Sequence, residues 1–150
     1  MKDYLSVRKN IRLKGYDYSK EGMYFITICT KNRAEILGKI KESNIIELTE
    51  EGIIVEKHIK TIVDVFKNII IDDYIIMPNH IHIIIVIKDK ETVTISRIIK
   101  QYKMYVSKKI GYSIWQKSFY EHIIRNEKEY YKIKEYIENN IVNWKKDKYY

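Results

Sequence analysis

Hydrophobic positions along the chain follow two different periods, and the switches between them predict the order of elements. Met23 to Thr30 is aromatic and β-branched, bounded by Gly22 and by Lys31-Asn32-Arg33, and predicts a buried strand. Thr49 then precedes Ile54, Val55, Ile59, Ile62, Val63 and Phe66, whose three- and four-residue spacing predicts a helix capped by that threonine. Gly52 blurs where this helix begins. Ile69–Met77 and His80–Ile87 are β-branched runs separated only by Pro78-Asn79, the pattern of a tight hairpin between central strands. Ile95, Ile98, Ile99, Tyr102 and Val106 return to helical spacing, with Gly111 as the stop. Ser118–Ile124 predicts a fourth strand, and Glu127–Asn140 a third helix burying Tyr130, Ile133 and Ile137, with Ile141 at its end.

The resulting order, βαββαβ and a further helix, predicts an α+β fold. Its core is a ferredoxin-like antiparallel sheet with helices on one face, followed by the C-terminal helix. No repeat or linker divides the chain, so residues 1–150 read as one domain. Within it, 1–20 is a basic lead-in arm, 21–144 the core and 145–150 a basic tail.

Composition narrows the class. A chain of 150 residues, 45% hydrophobic and 32% charged, can bury a core and is not a disordered tail. Its one cysteine, Cys29, excludes an internal disulfide framework and a cysteine-rich zinc module. No run approaches the roughly 18 apolar residues of a membrane span. The start, Met1-Lys2-Asp3-Tyr4, lacks the apolar core of a signal peptide, so the expected location is the cytoplasm and no membrane partner is expected.

The net charge of +8 points to an anionic partner, although a chain rich in Ile, Lys, Asn and Tyr also carries lysine through A+T-rich codons. Distribution is more telling than the total. Residues 1–20 hold six basic and two acidic residues, residues 92–118 hold six basic and none acidic, and residues 145–150 hold three lysines against Asp147. The segments between them are net acidic. Segregated positive charge is the footprint expected for a polyanion, nucleic acid above all, although a solvated lysine-rich helix face gives a similar pattern.

The segment Met77-Pro78-Asn79-His80-Ile81-His82 is the most informative. On a strand, residues i and i+2 share a face, so His80 and His82 project side by side in aliphatic surroundings. Two imidazoles so placed can share a divalent metal, or can be satisfied polar residues at a strand end. As ligands they need a third. Tyr136 and Asn140 share one face of the last helix, beside the stripe of Ile133 and Ile137. A tyrosine there is ordinarily a core residue, and periodicity alone does not single out Tyr136 from Tyr130 or Tyr131.

The chain resembles the REP-associated tyrosine transposases and, more broadly, the single-tyrosine HUH transposases of small bacterial insertion sequences. The resemblance runs over nearly the whole chain. It is carried by Arg12-Leu13-Lys14-Gly15-Tyr16-Asp17-Tyr18, by Tyr24 to Arg33, and by His80-Ile81-His82 as the His-hydrophobic-His motif. It continues through Trp115-Gln116, Tyr120 to Arg125, and Tyr136-Ile137 followed by Asn140 and Trp144. One departure is Ile141, where the REP-associated branch often has proline.

The resemblance implies an HUH nuclease fold, with His80 and His82 as metal ligands, Asn140 as the third ligand and Tyr136 as the nucleophile. It implies a divalent cofactor, Mg²⁺ or Mn²⁺, and cleavage and rejoining of single-stranded DNA at hairpins formed by imperfect palindromes. The reaction would pass through a 5′-phosphotyrosine intermediate. Arg12, Lys14, Arg97, Lys100, Lys103 and Lys108 are the candidate DNA contacts, with Tyr16, Tyr18 and Trp115 as candidates for stacking on bases. His122 is either a base for Tyr136 or a structural hydrogen-bonding residue. Both a monomer and a homodimer occur among the relatives. Two rival readings are a domesticated hairpin-binding protein of the same fold that does not cut, and a metal enzyme of another class.

Overall fold

The computed structural model describes residues 22–42, 44–88 and 93–144. Arg12, Lys14, Tyr16, Tyr18, the lead-in arm and the basic tail lie outside the described residues. The elements are β1 (Gly22–Cys29), β2 (Gly38–Ile40), β3 (Ile46–Leu48), α1 (Glu50–Val65), β4 (Ile69–Met77), β5 (His80–Ile87), α2 (Ile95–Ile110), β6 (Tyr120–Ile123) and α3 (Glu127–Glu138). Four strands form one antiparallel sheet in the order β4-β5-β1-β6, so β4 and β6 are its edges. With the small β2–β3 hairpin set aside, the order is the βαββαβ that hydrophobic periodicity predicts, and the fold is α+β.

The helix ends follow local chemistry. Thr49 Oγ1 accepts from Gly52 N at 3.1 Å, as the N-cap of α1, and donates to Ile36 O at 2.6 Å. Gly52 belongs inside this helix because the chain crosses closely there: a Cβ would collide with the Leu37 carbonyl oxygen. Thr94 caps α2, accepting from Arg97 N at 3.2 Å. Gly111 ends α2 at φ 105°, in the left-handed region that suits glycine.

The sheet has two unlike faces. Ile26, Ile28, Ile81, Ile83, Ile85 and Ile87 pack beneath Val55, Ile59, Ile98, Ile99 and Val106 of α1 and α2. Met23, Phe25, Ile84 and Val86 face the other way and pack against Tyr130 and Ile137 of α3. The third helix therefore covers the face opposite the other two. Every residue of β5 is buried, which explains its nearly unbroken aliphatic run.

Three boundaries differ from the pattern-based expectation. Thr30 lies past β1 and makes an isolated bridge to Trp115. The fourth strand is only Tyr120–Ile123, and α3 stops at Glu138, with Asn140 in the turn beyond it. The β2–β3 hairpin leaves no strong periodic trace because each strand has three residues. Cross-strand pairing of Lys39 with Glu47 fits its half-exposed character.

Candidate active site on the sheet face beneath the C-terminal helix

The tight turn at Pro78-Asn79 starts β5 with a histidine, and the two-residue period of the strand places His80 and His82 on the α3 face. Their rings lie edge to face at 4.7 Å, and the residues are 0% and 1% exposed. Register sets their neighbours: Cys29 lies opposite His80, and Thr27 opposite His82.

Each histidine uses Nδ1 locally. Asn79 Nδ2 donates to Arg33 O at 3.5 Å, which turns the amide oxygen towards His80 Nδ1, 2.7 Å away. That oxygen accepts only, so His80 Nδ1 is the donor of this hydrogen bond. His82 Nδ1 lies 2.8 Å from Thr27 Oγ1, which can donate or accept. Nε2 of His80, Nε2 of His82 and Oδ1 of Asn140 are buried atoms that make no hydrogen bond. A metal-ligating histidine is commonly oriented through one ring nitrogen, leaving the other for the metal.

The row Tyr136, Asn140 and Trp144, spaced by four, brings the end of α3 and the following turn over this pair. The Tyr136 ring meets His82 edge to face at 5.3 Å and Phe25 at 6.2 Å. Trp144 stacks on His80 at 6.2 Å with an interplanar angle of 21°, and Phe25 stacks on His82 at 5.1 Å. Asn140, between Tyr136 and Trp144 in this row, is 2% exposed.

The structure also separates the three tyrosines that periodicity left equivalent. Tyr130 is fully buried and donates its hydroxyl to Asp72 Oδ2 at 2.6 Å, so it belongs to the core. Tyr131 is 39% exposed and packs edge-on against Tyr130. Tyr136, also 39% exposed, is the one whose ring reaches His82.

Other candidates are placed elsewhere. His122 Nε2 lies 3.4 Å from Glu129 Oε2, beside the first turn of α3. Glu129 also accepts from Arg125 N at 2.8 Å, and that backbone hydrogen bond, followed by the His122 interaction, lowers its carboxyl pKa. His122 thus takes the structural alternative. Trp115 is 4% exposed and packs in the α1–α2 core, so it is not a base-stacking residue here. Arg97, Lys100 and Lys108 are exposed on α2, across the sheet from the histidines.

Lys103 differs from the other α2 cations. Its ammonium donates to the carbonyls of Gln116, Lys117 and Ser118 at 2.7, 3.3 and 3.1 Å. Burial lowers its pKa. It holds the loop into β6, where Gln116 N donates to Cys29 O near the histidine end of the sheet.

Sequence reasoning missed the polar groups that seat α3. Lys134 Nζ lies 2.7 Å from Asp73 Oδ2, with side chains 5% and 12% exposed, and Asp72 is the acceptor of Tyr130. The signal was present: two adjacent acids inside an isoleucine-rich strand, and a lysine within the apolar row of the helix. Among the described residues no group of three or more His, Cys, Asp or Glu side chains could hold a metal. No described helix is long and apolar enough to cross a membrane.

Comparison with known proteins gives a consistent picture. No family model matches the chain. An uncharacterized protein of Haemophilus influenzae is 36% identical over 168 aligned residues, covering 95% of this chain and 93% of that protein. A structure of a REP-associated tyrosine transposase bound to a REP hairpin superposes with a TM-score of 0.67 at 24% identity, covering 82% of this chain and 68% of the other. A crystal structure of a candidate transposase from Deinococcus radiodurans R1 superposes with a TM-score of 0.55 at 19% identity, covering 83% and 93%. The chain belongs to one protein family with its Haemophilus influenzae relative, and it shares its fold with these transposase structures.

Proposed function

We propose that the protein is a metal-assisted, tyrosine-dependent transposase of the HUH type, a transesterase that cleaves and rejoins single-stranded DNA at hairpin-bearing ends. The observation that carries this reading is the meeting of Tyr136 with the His80–His82 pair on one face of the sheet, with Asn140 buried in the turn after α3. The shared fold with a hairpin-bound tyrosine transposase supports the ligand class.

The donor set fits a divalent ion. Two oriented imidazoles and an amide oxygen, with phosphate oxygens and water, suit Mn²⁺ well and Mg²⁺ acceptably. His80, His82 and Asn140 would hold the ion, which when bound polarises the non-bridging phosphate oxygens and offsets charge in the transition state. The chain's own residues do the rest. Tyr136 oxygen forms a bond to phosphorus as the bond from phosphorus to the 3′-oxygen breaks. The phenol loses its proton and the leaving oxygen gains one, giving a free 3′-hydroxyl and a 5′-phosphotyrosine. A second 3′-hydroxyl attacking that link restores the phosphodiester and the phenol, so no nucleotide hydrolysis is needed. Phe25 and the aliphatic floor keep bulk water from the histidines.

Arg97, Lys100 and Lys108, with Arg12 and Lys14, are proposed to contact phosphates; a strand held on α2 must pass around the sheet edge to reach Tyr136. The second reading, a hairpin-binding protein that does not cut, draws on the burial of both histidines under Tyr136 and Trp144. One experiment separates them. The protein is incubated with labelled single-stranded hairpin DNA from the flanks of its own gene and Mn²⁺ or Mg²⁺, then denatured. A covalent adduct that Tyr136→Phe abolishes without loss of binding supports cleavage. Binding with no adduct under either metal supports the second reading.

A further inference from the structure

Asp72 and Asp73 interrupt an otherwise apolar edge strand, and neither is part of the histidine cluster. Side chains along β4 first alternate as expected: Ile70 packs in the α3 layer and Ile71 in the α1–α2 layer. Beyond the acids the phase is reversed, with Tyr74 in the α1–α2 layer and Ile75 in the α3 layer. The register with β5 shifts between Ile71 and Asp73, so the strand carries a bulge there. One extra residue turns both carboxylates towards α3, as bulges do when they re-aim a side chain.

Both carboxylates are used. Asp72 accepts from the Tyr130 hydroxyl at 2.6 Å. Asp73 pairs with Lys134 at 2.7 Å and accepts from Tyr74 N at 2.8 Å, which fixes the carboxylate itself. Strand pairing puts Asp73, Ile84, Phe25 and His122 at one level across the whole sheet. At the far end of that level, His122 meets Glu129 of α3. The helix is therefore tied to both edge strands within the two turns before Tyr136.

Apolar packing of Tyr130, Ile133 and Ile137 on a sheet is non-directional and leaves neighbouring registers close in energy. A buried ion pair adds little net stability but penalises every arrangement that separates it. We propose that the β4 bulge, through the Asp73–Lys134 pair and the Asp72–Tyr130 hydrogen bond, is a positioning device that fixes the rotation and axial register of α3 and so holds Tyr136 against the histidine pair. The proposal rests on the reading of Tyr136 as nucleophile. A slip of one residue moves a helix side chain by about 1.5 Å along the axis and about 100° around it. Displacements near 1 Å can slow an oriented reaction about 100-fold.

The test replaces the ion pair by apolar groups, Asp73→Leu with Lys134→Met, in the full chain with hairpin DNA and Mn²⁺. The double variant is expected to melt at or above the wild-type temperature. DNA affinity stays within about two-fold while the adduct rate at saturating DNA falls about 10- to 100-fold. Amide hydrogen exchange in α3 accelerates and that of α1 and α2 does not. Lys134→Arg, which keeps the charge, recovers most of the rate. A stable double variant that reacts at the wild-type rate overturns the proposal. Should the double variant not fold, Tyr130→Phe serves instead, and wild-type rate with unchanged exchange in α3 overturns it equally. Tyr136→Phe is measured alongside. An adduct that survives it removes the nucleophile and leaves the exchange data to judge the helix register.

Discussion

The two faces of the central sheet are built from the same strands and nearly the same side-chain alphabet, yet they hold different kinds of interaction. Beneath α1 and α2 the contacts are almost wholly apolar, and the buried Tyr102 hydroxyl donates to Val55 O at 2.9 Å. Beneath α3 lie two histidines, an asparagine, a threonine, two aspartates and a lysine, all buried or nearly so. Aliphatic burial stabilises without specifying direction. Polar burial costs desolvation and is tolerated where directions are matched. The first face supplies stability, and the second sets geometry.

The largest effect expected from breaking this contrast is chemical. His80→Ala with His82→Ala should cut metal-dependent adduct formation by about 10³-fold or more, the scale of several kcal/mol of charge stabilisation. The variant should remain folded by circular dichroism. Unchanged activity would remove the metal role from the α3 face.

The next effect is the converse. Ile83→Ala empties a fully buried position on the α1–α2 face and should cost about 2–5 kcal/mol of unfolding free energy. Denaturant titration measures the loss. The adduct rate per folded molecule should stay near wild type, and a selective loss of rate would break the division between the faces.

These predictions show how much the sequence already disclosed. The strands, helices and their order are legible because the core is patterned at two clear periods, and Thr49 and Gly111 mark helix ends by their chemistry. The histidine pair is legible as a pair because the two-residue period of a strand puts both imidazoles on one face. The direction in which the polar seat of α3 faces was hidden. A bulge changes which face every later side chain takes, and nothing in a run of isoleucines reveals that Asp72 and Asp73 turn the same way. Lys103 was misleading for a different reason: charge patterning cannot distinguish an ammonium in solvent from one bound to three carbonyls.

Lys103 gives a sharper, smaller comparison. Lys100→Ala with Lys108→Ala should weaken hairpin affinity and reduce the slope of log affinity against log salt by about 1 per lost phosphate contact. Lys103→Ala should leave that slope nearly unchanged and instead speed amide exchange around residues 116–118. Equal salt slopes for the two variants would return Lys103 to the DNA surface.

The smallest effect concerns the first turn of α3. Glu129 has a lowered pKa in the folded chain, mainly through the Arg125 amide and then His122. Its contribution is complete above the unfolded value of 4.5 and is lost as pH falls through the depressed folded value. Acid titration of stability should show a shallower fall below pH 4.5 in Glu129→Gln than in wild type, because that variant has already lost the contribution. Identical titration curves would mean that the carboxylate adds nothing to the helix start.

The most direct measurement of the central claim locates the covalent bond itself. Protein reacted with a single-stranded hairpin and Mn²⁺ is digested with nuclease and protease, and the modified peptide is sequenced by mass spectrometry. A nucleotide mass on Tyr136 is the expected result. The same mass on Tyr130, Tyr131 or any other residue, with Tyr136 unmodified, would contradict it.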